Sequence, residues 1–318
     1  MKAMILAAGL GTRLRPLTDN RPKALVEISG RTLLEITLSR LRAFGVREVI
    51  INVHHFADMI AGYLKAKNNF GMRIEISRED ILLDTGGGLK KAAWFFLEES
   101  SRLDEPFILH NVDVISTIDL PRMLQFHKEH HALATLAVQH RETSRYLLFN
   151  DQLQLCGRRS SGTAIPGCAP QASAELVPPA SSPVIPNAAT SARRGVRVPS
   201  PIGREPLSPQ QGTAELVPSA VEGAVPKNVK KSGALAPEVP PQSLAFSGIH
   251  IISPRLLPMI TEEGIFSIIN TYLRLASQGE KILAFRADEY YWRDLGRPSD
   301  LAQAALDLQQ KVSWGSEL

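Results

Sequence analysis

The sequence predicts an α/β protein, a Rossmann-like, mostly parallel sheet with helices on both faces, interrupted by a Pro-rich insertion. Three observations carry this. Apolar runs of strand length alternate with amphipathic runs of helix length from Lys2 to about Val138 and again from Leu244 to Gln310. The loops that follow the apolar runs hold the glycines and the isolated aspartates, where ligands of such sheets bind. Between Arg158 and Gln242 there is no Phe, Tyr, Trp or His, and 15 of the chain's 22 prolines fall there.

The first apolar run, Met4 to Ala8, breaks into Gly9-Leu10-Gly11-Thr12-Arg13, and Pro22-Lys23 follows. A buried strand that delivers small residues and cations to a sheet edge is a phosphate site in outline, because bare backbone N–H groups and positive charge both favour an anion. Thr32-x-x-Glu35 reads as a capping box for a helix carrying Leu34, Leu38 and Leu41 up to Phe44-Gly45. Glu48 to Val53 is a buried strand, Ala57 to Lys67 a helix, and Met72 to Ser77 a strand. After the Thr85-Gly86-Gly87-Gly88 loop, Leu89 to Glu98 is helical. Phe107 to His110 is a strand ending in Asn111-Val112-Asp113; Leu120 to Glu129 is a helix and Leu133 to Val138 a strand. Tyr146 to Phe149 and Leu153 to Cys156 flank a polar turn as a hairpin. Leu244 to Ile251 and Ile282 to Arg286 are strands. Phe266 to Ala276 is a helix, and Pro298 to Gln310 is a closing helix with proline at its start.

The composition of residues 158–242 cannot bury enough apolar surface to offset the entropy of ordering it, so disorder is expected there. Ala174-Glu175-Leu176-Val177-Pro178 returns as Ala214-Glu215-Leu216-Val217-Pro218, which reads as a duplicated low-complexity phrase. The expected organisation is residues 1–157 and 243–318 as two parts of one α/β domain of roughly 235 residues, with 158–242 inserted at a tolerant surface position. Because the segment follows a hairpin, its two ends are expected close together.

Charge and composition exclude several classes. The insertion carries nine Lys/Arg against five Asp/Glu, which accounts for the whole net charge of +4; the other residues hold 27 of each sign. No basic face for nucleic acid is expected. Two cysteines, Cys156 and Cys168, cannot make a disulfide framework or a zinc site and have no base beside them, so they read as inert thiols. No run approaches a membrane span, and the N-terminal run is too short for a signal peptide, so a cytoplasmic protein is expected, with no membrane partner. His54-His55 and His130-His131 lack partners at ligand spacing and read as surface or loop residues; Tyr290-Tyr291-Trp292 reads as packing at a sheet edge.

The glycine loop is neither of the two commonest phosphate loops. Position 14 is Leu where a dinucleotide fingerprint needs its third glycine, and no Gly-Lys-Ser/Thr follows. The run LAAGLGTRLRPLTDNRPKAL instead resembles the G-x-G-T-R-L-x-P-L-T…P-K signature of the sugar-1-phosphate nucleotidyltransferases, which join an NTP to a sugar 1-phosphate and release pyrophosphate. The resemblance extends through Leu83-Asp84-Thr85-Gly86-Gly87-Gly88, His110-Asn111-Val112-Asp113, Phe246-Ser247-Gly248-Ile249 and Trp292-Arg293-Asp294-Leu295-Gly296. It implies the nucleotide-diphospho-sugar transferase fold. Position by position, it implies that Leu6, Ala7, Ala8, Gly9, Gly11 and Thr12 hold base and ribose and that Arg13 neutralises the leaving pyrophosphate. Lys23 would contact the α-phosphate and the incoming sugar phosphate. Asp84, Thr85, Gly86 and Gly87 would read the base edge and ribose. Asp113 and Asp294 would hold Mg²⁺, and Gly248 would line the sugar pocket. In-line attack by a phosphate oxygen needs no protein nucleophile, so alignment and charge neutralisation suffice.

The compact form most resembles the N-acetylmuramate-1-phosphate uridylyltransferase and mannose-1-phosphate guanylyltransferase branch of the family, with UTP or GTP as donor. One departure stands out. Many members carry Glu-Lys-Pro after the hairpin, whose lysine grips the sugar phosphate, whereas this chain reads Cys156-Gly157-Arg158-Arg159. Two alternatives stay open: Arg158 takes that role, or the contact is absent. Two rival functions also stay open, a non-catalytic sugar-nucleotide-binding regulatory subunit and a cytidylyltransferase of the choline-phosphate type.

Overall fold

A computed structural model describes residues 1–98, 104–160 and 240–310. The expected character of the Pro-rich segment concerns residues that, apart from its two ends, lie outside that set. Strand β1 (Lys2–Leu6) leads through the glycine loop to a β2–β3 ribbon (Glu27–Ile28, Arg31–Thr32) and helix α1 (Leu33–Ala43). Then come β4 (Glu48–Val53), α2 (Ala57–Ala66), β5 (Arg73–Arg78) and α3 (Asp84–Leu97). Strands β6 (Phe107–Asn111) and β7 (Val114–Ser116) precede α4 (Leu120–Glu129), β8 (Ala134–Gln139), β9 (Arg145–Phe149) and β10 (Leu155–Ser160). The chain resumes with β11 (Gln242–Ile252), α5 (Ile268–Ser277), β12 (Ile282–Arg286), β13 (Trp292–Asp294) and α6 (Pro298–Gln310).

Of the capping box expected at Thr32 and Glu35, the threonine half forms, while the Glu35 carboxylate accepts instead from Arg31 Nε and the Tyr63 hydroxyl. Thr32 Oγ1 accepts from the Glu35 N–H at 3.0 Å, and Leu34, Leu38 and Leu41 are buried along one face of α1. Helix α3 begins earlier than expected, at Asp84. Gly86 to Gly88 therefore form its first turn instead of a loop before it.

The main sheet runs β10-β9-β11-β6-β1-β4-β5, with β8 and β12 joined through the other edge of β11. Strands β6, β1, β4 and β5 are parallel to one another, as are β8 and β12. Strand β11 is antiparallel to β6, β8 and β9 and stitches the two parallel groups together. Alternate residues feed two cores. Ala3, Ile5, Val49 and Ile51 face the α1, α2 and α4 side; Met4, Ile50, Leu109 and Leu136 face the α3 and α5 side. Covering both faces explains why these strands read as unbroken apolar runs.

The ends of the Pro-rich segment depart from expectation. Strand β10 continues through Ser160, so residues 158–160 belong to the sheet. Strands β10 and β11 both pair antiparallel to β9, so they run in the same direction with β9 between them. Ser160 lies opposite Arg145 at one end of β9, while Gln242 lies opposite Phe149 at the other. The two ends are therefore not adjacent. They are offset by about 14 Å along the strands and about 10 Å across them, from ordinary strand rise and spacing.

A third, smaller core sits beyond the carboxyl ends of β1 and β6. Leu14 of the glycine loop, Ile115 of β7, Leu295, and Leu301 and Ala304 of α6 pack with Val26, Ile28, Leu33 and Ile36. Leu14 beside Arg13, Leu295 beside Asp294 and Ile115 two residues from Asp113 pin those three segments there.

Candidate active site

Beyond β1 the chain makes a tight turn. Gly11 has φ +64°, and a side chain there would begin 3.0 Å from Thr18 Cγ2 and 3.3 Å from Lys23 Cβ. Glycine is required on both counts. The Gly11 carbonyl accepts from the Leu14 N–H at 2.8 Å and from Thr18 Oγ1 at 2.9 Å, which closes the turn. Thr12 and Arg13 stand exposed beside buried Leu14, and Gly9 is open to solvent with nothing near its Cβ position. Leu6 accepts from the Val112 N–H at 3.1 Å, and Ala7 and Ala8 are buried behind the loop.

Four of the motif charges come together. Lys23, only 9% exposed, donates from Nζ to Asp113 Oδ2. Strand β13 pairs antiparallel with β7, placing Asp294 opposite Val114, and the Leu295 N–H donates to the Asp113 carbonyl at 2.8 Å. This two-stranded ribbon sets the two aspartates side by side. Gly296 leaves room for the group: a side chain there would begin 3.2 Å from Asp294 Oδ1 and 3.7 Å from the Arg13 guanidinium carbon. Burial and the charge of Asp113 push the Asp294 carboxyl up, and Lys23 and Arg13 pull it back down. Asp294 Oδ1 is buried without a hydrogen-bond partner. A buried carboxylate oxygen left unpartnered is costly, and a cation satisfies it.

That arrangement fits Mg²⁺. Among the described residues no group of three or more His, Cys, Asp or Glu could hold a metal by itself. Mg²⁺ characteristically takes one or two carboxylates with phosphate oxygens and water. Asp113 and Asp294 are such a pair.

The Asp84–Gly88 stretch joins the glycine loop through a buried polar relay that the sequence reading missed. Asn52, 2% exposed, accepts from the Ala7 N–H through Oδ1 at 2.8 Å and donates from Nδ2 to Glu79 Oε1 at 2.8 Å. Glu79, 4% exposed, accepts the Leu83 N–H through Oε2 at 3.0 Å. The signal was present: Asn52 interrupts the buried run Glu48 to Val53. Gly88 packs on this relay, since a side chain there would begin 2.8 Å from both Asn52 Nδ2 and Glu79 Oε1.

The other two glycines of α3 are committed within the protein. The Gly86 and Gly87 N–H groups donate to the Phe266 carbonyl at 2.9 and 3.3 Å, and a side chain on Gly86 would run into the Phe266 ring. Thr85 Oγ1 accepts from the Ile268 N–H at 3.0 Å. Asp84 is exposed with φ +60°, its Oδ1 accepting from the Thr85 N–H at 2.6 Å. In this stretch the Asp84 side chain, not the glycine N–H groups, faces outward.

Gly248 lies in the β11 bulge between Phe246 and His250, with φ +75°. A side chain there would begin 2.9 Å from Val114 Cγ2 and 3.0 Å from Asn111 Nδ2, so it borders the strand end that carries Asp113. Arg40 of α1 was also missed. Half-buried, it donates from Nη1 to Ser116 Oγ at 2.8 Å and from Nη2 to the Ile118 carbonyl. Burial pushes its guanidinium down to about 10 and neighbouring His110 down to about 3. Arg40 thereby ties the far end of β7 to α1.

The histidine pairs make no metal cluster. His54 Nδ1 bonds the Glu79 carbonyl at 2.8 Å, and His130 Nδ1 the Phe126 carbonyl at 2.9 Å. Cys156 is exposed and its thiol donates to the Leu148 carbonyl at 3.3 Å; Cys168 lies outside the described residues. No helix among the described residues is long and apolar enough to cross a membrane.

Comparison with known proteins agrees with this geometry. Residues 2–148 match the family model described as nucleotidyl transferase. The N-acetylmuramate α-1-phosphate uridylyltransferase of Caulobacter vibrioides is 53% identical over 93 residues, covering 28% of this chain and 38% of that protein. Mannose-1-phosphate guanylyltransferase 1 of Arabidopsis thaliana is 38% identical over 139 residues, covering 43% of this chain and 38% of the relative. The chain thus spans under two fifths of the length of these curated relatives. A UDP-glucose pyrophosphorylase solved with UDP-glucose superposes with TM-score 0.62 at 13% identity, covering 98% of this chain and 99% of the other, a likeness of fold. Residues 2–148 thus resemble nucleotidyl transferases in sequence, and the chain shares the fold of the solved pyrophosphorylase.

Proposed function

We propose that this protein transfers a nucleotidyl group from an NTP to a sugar 1-phosphate, forming an NDP-sugar and pyrophosphate. The observation that carries the reading is the convergence of Arg13, Lys23, Asp113 and Asp294 at one strand edge, with one buried carboxylate oxygen unpartnered. A binding module has no need for two carboxylates held against each other at the cost of raising one of them.

In the reaction an oxygen of the sugar phosphate attacks the α-phosphorus in line. A new P–O bond forms as the bond to the β-phosphate oxygen breaks, and pyrophosphate carries the electron pair away. Gly9 to Thr12 leave open backbone for the nucleotide, and exposed Arg13 neutralises the departing pyrophosphate. Lys23, already oriented by Asp113, meets the α-phosphate. Asp84 faces the base and ribose, while Asn52 and Glu79 hold its stretch and the glycine loop at fixed separation. Asp113 and Asp294 would hold Mg²⁺, which when bound supplies charge neutralisation at the phosphates. Gly248 lets β11 pass close against Val114 and Asn111, beside the strand end that carries Asp113, on the acceptor side of the ribbon.

The acceptor we infer is of the N-acetylmuramate or mannose 1-phosphate class and the donor UTP or GTP, a reading the names of the relatives above support. The test is a pyrophosphate-release screen of the full chain with Mg²⁺, each NTP and each sugar 1-phosphate. Release with UTP or GTP is expected. Release with CTP and phosphocholine only would favour the cytidylyl reading, and none with any pair would overturn the enzymatic one.

A further inference from the structure

Arg141 lies just after β8, at the acceptor side of the ribbon. Its guanidinium stacks on the Trp292 ring, 3.7 Å from the centroid, and one Nη donates to the Phe246 carbonyl at 2.6 Å. Trp292 is itself fixed, its Nε1 donating to the Ser247 carbonyl at 2.7 Å. The platform therefore spans β13, which ends in Asp294, and the β11 bulge that contains Gly248. Arg141 feels the Asp294 charge but forms no ion pair with it or with any other carboxylate among the described residues. Its Nε is buried and unpartnered. Stacking and a single carbonyl do not balance the charge of a half-buried guanidinium. An oxyanion does.

We propose that Arg141 is the acceptor-side cation of the site, binding the phosphate of the incoming sugar 1-phosphate. This rests on the transferase reading above. It answers the missing Glu-Lys-Pro lysine with a residue from a different strand edge. Arg158, the alternative considered from sequence, is exposed and turned to Asn270 Oδ1 of α5 at 3.2 Å. The platform supplies what a lysine would lack: the ring fixes the guanidinium plane, leaving its edge to meet phosphate oxygens.

The test compares wild type, Arg141→Ala and Arg141→Lys in the full chain. Steady-state pyrophosphate release and calorimetric titration would use mannose 1-phosphate, N-acetylmuramate 1-phosphate and the NTP. Arg141→Ala is expected to raise KM and Kd for both sugar phosphates tenfold or more and leave KM for the NTP within twofold. Arg141→Lys should fall between, and millimolar methylguanidinium should restore part of the loss in Arg141→Ala. Unchanged acceptor affinity in Arg141→Ala would overturn the proposal. So would a loss shared equally by NTP and acceptor, or one confined to N-acetylmuramate 1-phosphate, which would assign Arg141 to the sugar carboxylate. Should Arg141→Ala fail to fold, Arg141→Lys decides by the same acceptor-against-NTP split. If wild type releases no pyrophosphate, the transferase reading falls, while the titration still decides whether Arg141 binds a sugar phosphate.

Discussion

The two ends of the site, proposed as its nucleotide end and its acceptor end, are built in different ways. The centre of the proposed nucleotide end is local: Gly9 to Arg13 and Lys23 lie within one stretch of chain, closed by bonds such as Leu14 N–H to the Gly11 carbonyl. Only the Asp84 stretch is tied on from further along, through Asn52 and Glu79. The acceptor end is assembled from distant pieces. Arg141 follows β8, Gly248 lies in β11, and Trp292 and Asp294 lie in β13. A contiguous turn can be specified by glycines and a few hydrogen bonds. A wall assembled from three strands depends on register, on the β11 bulge and on the small core around Ile115 and Leu295.

Asp113 joins the two ends, so changing it should give the largest effect. Asp113→Asn removes one carboxylate charge and the partner of Lys23 while keeping the shape. We expect kcat to fall by roughly a thousandfold, the scale of losing a key electrostatic contact at the reacting phosphorus. The NTP should still bind within about tenfold by calorimetry. Full activity in Asp113→Asn would separate the ribbon from the chemistry.

Gly88→Ala strikes the nucleotide end alone. The added methyl meets Asn52 Nδ2 and Glu79 Oε1, which brace the Ala7 and Leu83 N–H groups. A loss of about 2 kcal/mol in stability, typical of overpacking, is expected together with a raised KM for the NTP, and acceptor KM should stay put. Denaturant melts and steady-state kinetics read both. A melt unchanged from wild type would show that the relay yields freely.

The smallest effect is expected from shortening the chain. Because β10 and β11 run in the same direction on either side of β9, residues 161–239 should be replaceable by a Gly/Ser crossover of about a dozen residues. Pyrophosphate release should stay within twofold. A two-residue turn in the same place cannot span β9 and should abolish acceptor binding. Loss of folding with the crossover would show that the Pro-rich segment is a structural part of the domain.

Much of this was legible beforehand, for identifiable reasons. Burial of β1, β4 and β6 on both faces writes itself as apolar runs, and caps such as Thr32 declare helix starts. The start of α3 was misplaced because three glycines look like a loop; they are glycines inside a helix because Phe266, the Gly264 carbonyl and the Asn52–Glu79 pair fill the space that side chains would take. Arg40, Glu79 and Arg141 went unnoticed because their partners are far along the chain and a lone charge in sequence carries no sign of burial.

The sequence by itself determined the α/β class, most strand and helix positions, and the glycine loop with Arg13 and Lys23, because local periodicity and contiguous motifs are properties of neighbours in the chain. The tertiary structure alone decided that β10 and β11 run in the same direction on either side of β9, that Asp113 and Asp294 share a ribbon, and that Arg141 lies on Trp292. Those facts follow from strand register and from packing between residues far apart in the chain, which no local pattern encodes. The proposed phosphate site at the start of the chain becomes two-ended only when β13 folds back onto β7.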